Sequence, residues 1–280
     1  MYNMSLGIPI SERTLDELLP DTLTYSLCIH IDKGAEVWVV TGMLVQYLES
    51  ATDSVMIRDE DHTPIGVIGG KEIMENVLKN PTSSLFYGTK VEDIMEANPI
   101  QVFKDTKYKD LMNFWKERGR AYAIISNEWG FYSAISAKKI LEIGMRCKTK
   151  MSITDLPKKQ HITFRKGATF RSVINSMFEN KTRKLLLENS NKYLNDRLII
   201  ETISEKMKHL KEINDFLNES VDIVELEEVK VIFDDLTINE VCAMMYDMDH
   251  PYVIYKDWIV TPWDICNVLL SPEITEYVEK

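Results

Sequence analysis

Near the C-terminus, Thr261-Pro262-Trp263-Asp264 sets a hydroxyl and a carboxylate three residues apart, directly after the apolar run Trp258-Ile259-Val260. Two chemistries use that spacing. Threonine at the N-cap, proline at the first helical position and an acid at the third make a good helix start. The hydroxyl and carboxylate satisfy amide groups that lack helical partners, and proline gives up no hydrogen bond there. The same geometry suits a sugar phosphate. Free N–H groups at a helix start favour an anion, and a carboxylate one turn in can accept both hydroxyls of a ribose. These four residues alone leave both readings open.

Other chemistry-bearing residues are sparser. No Ser/His/Asp set, paired Cys/His cluster or phosphate-cradling glycine loop occurs at a working spacing, so no catalyst is expected. Cys28, Cys147, Cys242 and Cys266 show no paired spacing, which argues against a zinc site or a disulfide frame. The formal net charge of −11 argues against a nucleic-acid partner, although Lys181-Thr182-Arg183-Lys184 is a local basic cluster suited to a small anion. Residues 219–226 alternate acid and apolar side chains and read as an edge strand or linker. Trp38, Trp115 and Trp129 fit core or turn packing at least as well as recognition. The N-terminus lacks the basic start and apolar run of a secretory signal, and the most apolar stretch, 37–48, is too short to span a bilayer. A cytoplasmic protein without membrane contact is the expectation.

The elements that position these residues recur. A short apolar strand, an amphipathic helix, a second strand, a polar turn, a third strand and a closing helix follow one another four times. In the second copy the strand at Ile100 to Phe103 precedes a helix with Tyr108, Leu111, Met112 and Trp115 on one face. A strand at Tyr122 to Ile125, a turn through Asn127-Glu128-Trp129-Gly130, a strand from Phe131 to Ser136 and a helix from Ala137 to Ile143 complete it. In the third copy the reading is a strand at Leu185 to Leu187, a long turn through Asn195-Asp196 and a strand at Leu198 to Ile200. Val37, Tyr108, Phe170 and Ile238 hold equivalent helix positions, on the order of 60–70 residues apart, which is too long for a solenoid and indicates small tandem domains.

This fourfold βαββα order resembles the cystathionine-β-synthase (CBS) domain family. The residues carrying the resemblance are Val91-Glu92-Asp93-Ile94-Met95, His250-Pro251-Tyr252-Val253 and Ile259 to Ile265. It implies an α/β fold of four CBS-like repeats, at 1–88, 89–146, 150–217 and 218–280, packed as two pairs in a flattened disc. The break between consecutive pairs is expected near Met145 to Met151, a basic and polar stretch.

The resemblance also implies a function. It points to a non-catalytic regulatory module sensing AMP, ADP, ATP or a related adenosyl ligand such as S-adenosylmethionine, without a metal. Asp264 would hold the ribose and Thr261 the α-phosphate, with Pro262 and Trp263 completing the junction and Val229, Lys230 and Val231 bordering the adenine. Arg183 or Lys184 of the third repeat would supply the phosphate cations that Asp249-His250 withholds. His250 itself reads as a partly buried strand-entry residue. The other junctions depart from the pattern: Ser136 is followed by Lys139, Gly69 by Glu72, and the stretch Leu198 to Glu205 gives half a motif in either register. Output would pass to a regulated protein or a homodimer. A ligand-free interaction scaffold of degenerate repeats is the alternative.

Overall fold

The computed structural model describes residues 7–19, 21, 27–46, 54–126, 130–206 and 215–278. The expected turn at Asn127, Glu128 and Trp129, and the end of the first long helix at Leu48, lie outside the described residues.

Four small α/β repeats are present. In the first, β1 (His30–Asp32) lies parallel to β2 (Ser54–Arg58), which pairs antiparallel with β3 (Pro64–Gly69). Helices α2 (Val37–Gln46) and α3 (Gly70–Lys79) flank these strands, and β4 (Glu96–Ala97) adds to the sheet edge. The second repeat repeats the pattern with β5 (Gln101–Val102), α5 (Tyr108–Arg118), β6 (Tyr122–Ser126), β7 (Tyr132–Ser136) and α6 (Ala137–Arg146). The third has β9 (Thr163–Phe164), α7 (Phe170–Glu179), β10 (Lys184–Leu187), β11 (Lys192–Asn195) and α8 (Asp196–Glu205), with β12 (Glu227–Glu228) at its edge. The fourth has β13 (Lys230–Ile232), α9 (Ile238–Tyr246), β14 (Val253–Tyr255), β15 (Trp258–Val260) and α10 (Pro262–Val268). Short sheets of this kind need a buried face to be stable, and the central strands of the first, second and fourth repeats are buried along nearly their whole length.

One register corrects the sequence reading. Leu198 to Ile200 is helix, not strand; the strand is β11 and the turn sits at 188–191, with Asn189 at φ 58°. Leu198, Ile199 and Ile200 are buried in an unbroken run, which reads as a strand as readily as a helix; the polar side of α8 emerges only later, at Glu201, Ser204 and Glu205. The true junction is Asn195-Asp196-Arg197-Leu198, where Asn195 caps the helix by accepting from the Leu198 N–H at 2.8 Å.

Each repeat is entered through a short lead-in with two buried apolar residues: Leu15 and Leu18 in α1 (Leu15–Leu18), Val91 and Ile94, Ile153 and Leu156, Val221 and Val224. The lead-ins are exchanged between sequence neighbours. Val91 N–H donates to Ala35 and Val37 N–H to Thr89; Leu15 N–H donates to Thr106 and Tyr108 N–H to Arg13. Ile153 N–H donates to Leu236 and Ile238 N–H to Met151; Val221 N–H donates to Ala168 and Phe170 N–H to Glu219. The donors Val37, Tyr108, Phe170 and Ile238 occupy one register in all four copies.

The chain resolves into two discontinuous compact units. The odd-repeat unit joins Ile29–Pro99 with Gln160–Lys230, and α2 packs on α8 within it. The even-repeat unit joins Ile100–Lys159 with the segments up to Cys28 and from Val231, and α6 packs on both α9 and α10. Its core includes Tyr108, Leu111, Trp115, Ile135, Ile140, Val241, Val253 and Ile265. The expected break at Met145 to Met151 is not where the units divide. That stretch stays in the even-repeat unit because β8 (Cys147–Lys148) pairs with β16 (Glu276–Tyr277) and Met151 bonds Ile238; the chain leaves at Lys159.

Candidate functional site

The β14–β15 hairpin turns through Lys256-Asp257, with Lys256 at φ 57°, and pairs Val253 with Val260 and Tyr255 with Trp258. The strand ends at Val260, Thr261 is extended at φ −130°, and Pro262 opens α10. Ile265 and Cys266 turn into the core, where the Tyr108 hydroxyl donates to the Cys266 carbonyl at 2.8 Å. Trp263 is half-buried, its ring 6.4 Å from that of Trp115.

Asp264 is 1 % exposed and fully engaged by its own unit. Oδ2 accepts from both the Thr261 N–H and the Thr261 hydroxyl, each at 2.8 Å. Oδ1 accepts from Lys159 Nζ at 2.5 Å. The capping role of the junction is therefore realised, with the carboxylate as acceptor and the threonine hydroxyl as donor. A buried carboxylate without such donors would be strongly disfavoured.

Lys159 carries no signal in the sequence that ties it to this junction, 105 residues away. The doublet Lys158-Lys159 follows Leu156-Pro157, so it belongs to the exchanged lead-in of the third repeat, and only that exchange brings it here. The Lys159 carbonyl accepts from the Ile259 N–H at 3.0 Å, which fastens the lead-in along β15. Lys158 places its ammonium 4.9 Å from the centre of the Trp258 ring.

The remaining site residues fall as follows. Lys230 and Val231 open β13, beside β14 in the sheet that delivers Thr261, with the boundary between the units falling between them, whereas Val229, Arg183 and Lys184 belong to the odd-repeat unit. There Arg183 Nε pairs with Asp196 Oδ2 at 2.7 Å. His250 is buried at the entry to β14 and its carbonyl accepts from the Tyr252 N–H. Residues 219–226 form a lead-in with a short 3-10 turn, not an edge strand.

The other junctions are capped by different chemistry. Glu72 accepts from the Gly69 N–H at 2.9 Å, and Ser136 accepts from the Lys139 N–H at 3.5 Å. Lys139, at the acid position, turns to Glu142 at 3.3 Å. Among the four, the fourth alone has both the hydroxyl and the carboxylate.

Burial pushes the Cys147 thiol up to about 12 and raises Cys242 and Cys266 further, so none is an activated nucleophile. Among the described residues no group of His, Cys, Asp or Glu is placed to hold a metal, and no helix is long and apolar enough to cross a membrane.

No family model matches the sequence, and no curated protein is significantly similar to it. Solved structures are similar. Protein MJ1225 of Methanocaldococcus jannaschii, described as a candidate archaeal homologue of γ-AMPK, is 13 % identical, with a TM-score of 0.73 over 89 % of this chain and 99 % of its own. An uncharacterised conserved protein of Pyrococcus horikoshii is 12 % identical, with a TM-score of 0.53 over 90 % and 99 %. The CBS-domain containing protein ATU1752 of Agrobacterium tumefaciens matches 51 % of this chain and 97 % of its own at 13 % identity and a TM-score of 0.40. The likeness to MJ1225 is one of fold, and the fold is one of four CBS-like α/β repeats in one chain.

Proposed function

We propose that the chain is a non-catalytic regulatory module that binds an adenine nucleotide at the fourth repeat. The observation that carries this is the buried Asp264 carboxylate at a strand-to-helix junction, beside the Thr261 hydroxyl. A carboxylate so placed accepts a vicinal diol through two charge-assisted hydrogen bonds. Val231 borders the adenine and Thr261 turns its hydroxyl to the α-phosphate. Ligand then favours one arrangement of the repeats, and a regulated protein or a second copy reads it. The likeness in fold to a protein described as a candidate γ-AMPK homologue agrees with this reading. A ligand-free scaffold is favoured instead by the fact that both Asp264 oxygens already have partners.

Thermal unfolding in AMP, ADP, ATP and S-adenosylmethionine separates the two. A rise in midpoint with an adenosyl ligand, lost in Asp264→Asn, supports nucleotide binding. Unchanged midpoints in all four leave the scaffold.

A further inference from the structure

We propose that the Lys159–Asp264 ion pair is an internal competitor for the ligand's ribose and restricts the site to adenosyl ligands with an anionic 5′ group. The inference rests on the nucleotide reading above and adds to it the residue that selects for the phosphate.

Asp264 Oδ2 keeps the Thr261 N–H even when the Thr261 hydroxyl turns to phosphate, so Oδ1 is the oxygen through which a diol enters, and Lys159 Nζ holds it at 2.5 Å. A ribose must therefore displace the ammonium. Lys159 can yield, because its side chain is 45 % exposed while its backbone stays bonded to Ile259. The displaced charge remains within side-chain reach of the start of α10, and Lys158 adds a second charge from the same segment. A 5′-phosphate gives the displaced ammonium a new anionic partner close to the old one. A neutral nucleoside offers none, and the sulfonium of S-adenosylmethionine sets like charge against it. The same lysine that blocks the carboxylate thus rewards phosphate. AMP should bind better than adenosine, and adenosine better than S-adenosylmethionine.

Calorimetric titration of AMP, adenosine and S-adenosylmethionine into the full chain tests this, with wild type, Lys159→Met and Asp264→Asn. Methionine keeps the apolar stem and removes the charge. The wild type should prefer AMP over adenosine by roughly tenfold, about one charge-assisted hydrogen bond. In Lys159→Met adenosine should bind more tightly than in wild type and the AMP preference should shrink toward parity. An unchanged AMP-to-adenosine ratio in Lys159→Met, with AMP binding still lost in Asp264→Asn, would overturn the competitor role and leave the nucleotide reading standing. AMP binding to neither wild type nor Lys159→Met would overturn both.

Discussion

At the scale of single residues, Asp264 is a helix cap and, in the function proposed here, also a ribose ligand, and the two roles have separable energies. As a cap it joins Thr261 in closing the start of α10, and loss of such a cap typically costs about 1 kcal/mol. Asp264→Ala should therefore lower the urea midpoint modestly without ligand, and a fully unaffected midpoint would show that the junction is held by its neighbours. The thiols make a second prediction. Cys147 is raised from an ordinary 9.0 to about 12 by burial, so the native state resists its ionisation while the unfolded chain does not. Its contribution to stability is whole below pH 9 and is lost as pH rises toward 12. Urea midpoints should fall over that interval, and the fall should be smaller in Cys147→Ala. An equal fall in both proteins would place the alkaline sensitivity elsewhere.

At the scale of elements, close approaches show which residue choices are structural. A Cβ on Gly70 would lie 2.0 Å from Asp196 Oδ2, and that carboxylate is buried and tied to Arg183. Gly70→Ala should destabilise by about 1–3 kcal/mol, as overpacking does. Adding Asp196→Ala should relieve part of that cost, so the two changes should combine to less than their sum in a double-mutant cycle. Strict additivity would mean the helix start moves aside instead. A local reason made Asn195-Asp196 read as a turn in the sequence. This polar pair marks a helix start, and the apolar run behind it is buried without a break, so no period distinguished helix from strand. Where a helix kept one wet face, as at Tyr108–Arg118 and Phe170–Glu179, the sequence reading and the structure agree. The fourth junction was equally legible, because proline, threonine and aspartate each have a local reason to stand there. Lys159 was not, because its partner is set by the exchanged lead-in and leaves no local trace.

For the whole molecule, packing between alternate repeats makes the units discontinuous in sequence, and the exchange adds the first repeat's lead-in to the even-repeat unit. Each repeat contributes its lead-in to its neighbour, through a pair of backbone hydrogen bonds and two buried apolar side chains. Removing residues 1–19 should therefore loosen the second repeat more than the first. Hydrogen exchange should quicken in Tyr108–Arg118, which loses Arg13 as a partner, ahead of Val37–Gln46. The reverse order would contradict the exchange. The lead-in carrying Lys159 is bonded to β15 and continues directly into the odd-repeat unit at Gln160. In the proposed reading, displacing Lys159 from Asp264 would act on the segment through which the chain passes from one unit to the other.

The most direct test of the central claim is the unfolding midpoint of wild type and Asp264→Asn, each with and without AMP. AMP at about 100 times its dissociation constant should add about 2.7 kcal/mol to the stability of the wild type and nothing to the variant. No stabilisation of the wild type by AMP, ADP or ATP at millimolar concentration, or an equal gain in Asp264→Asn, would contradict it.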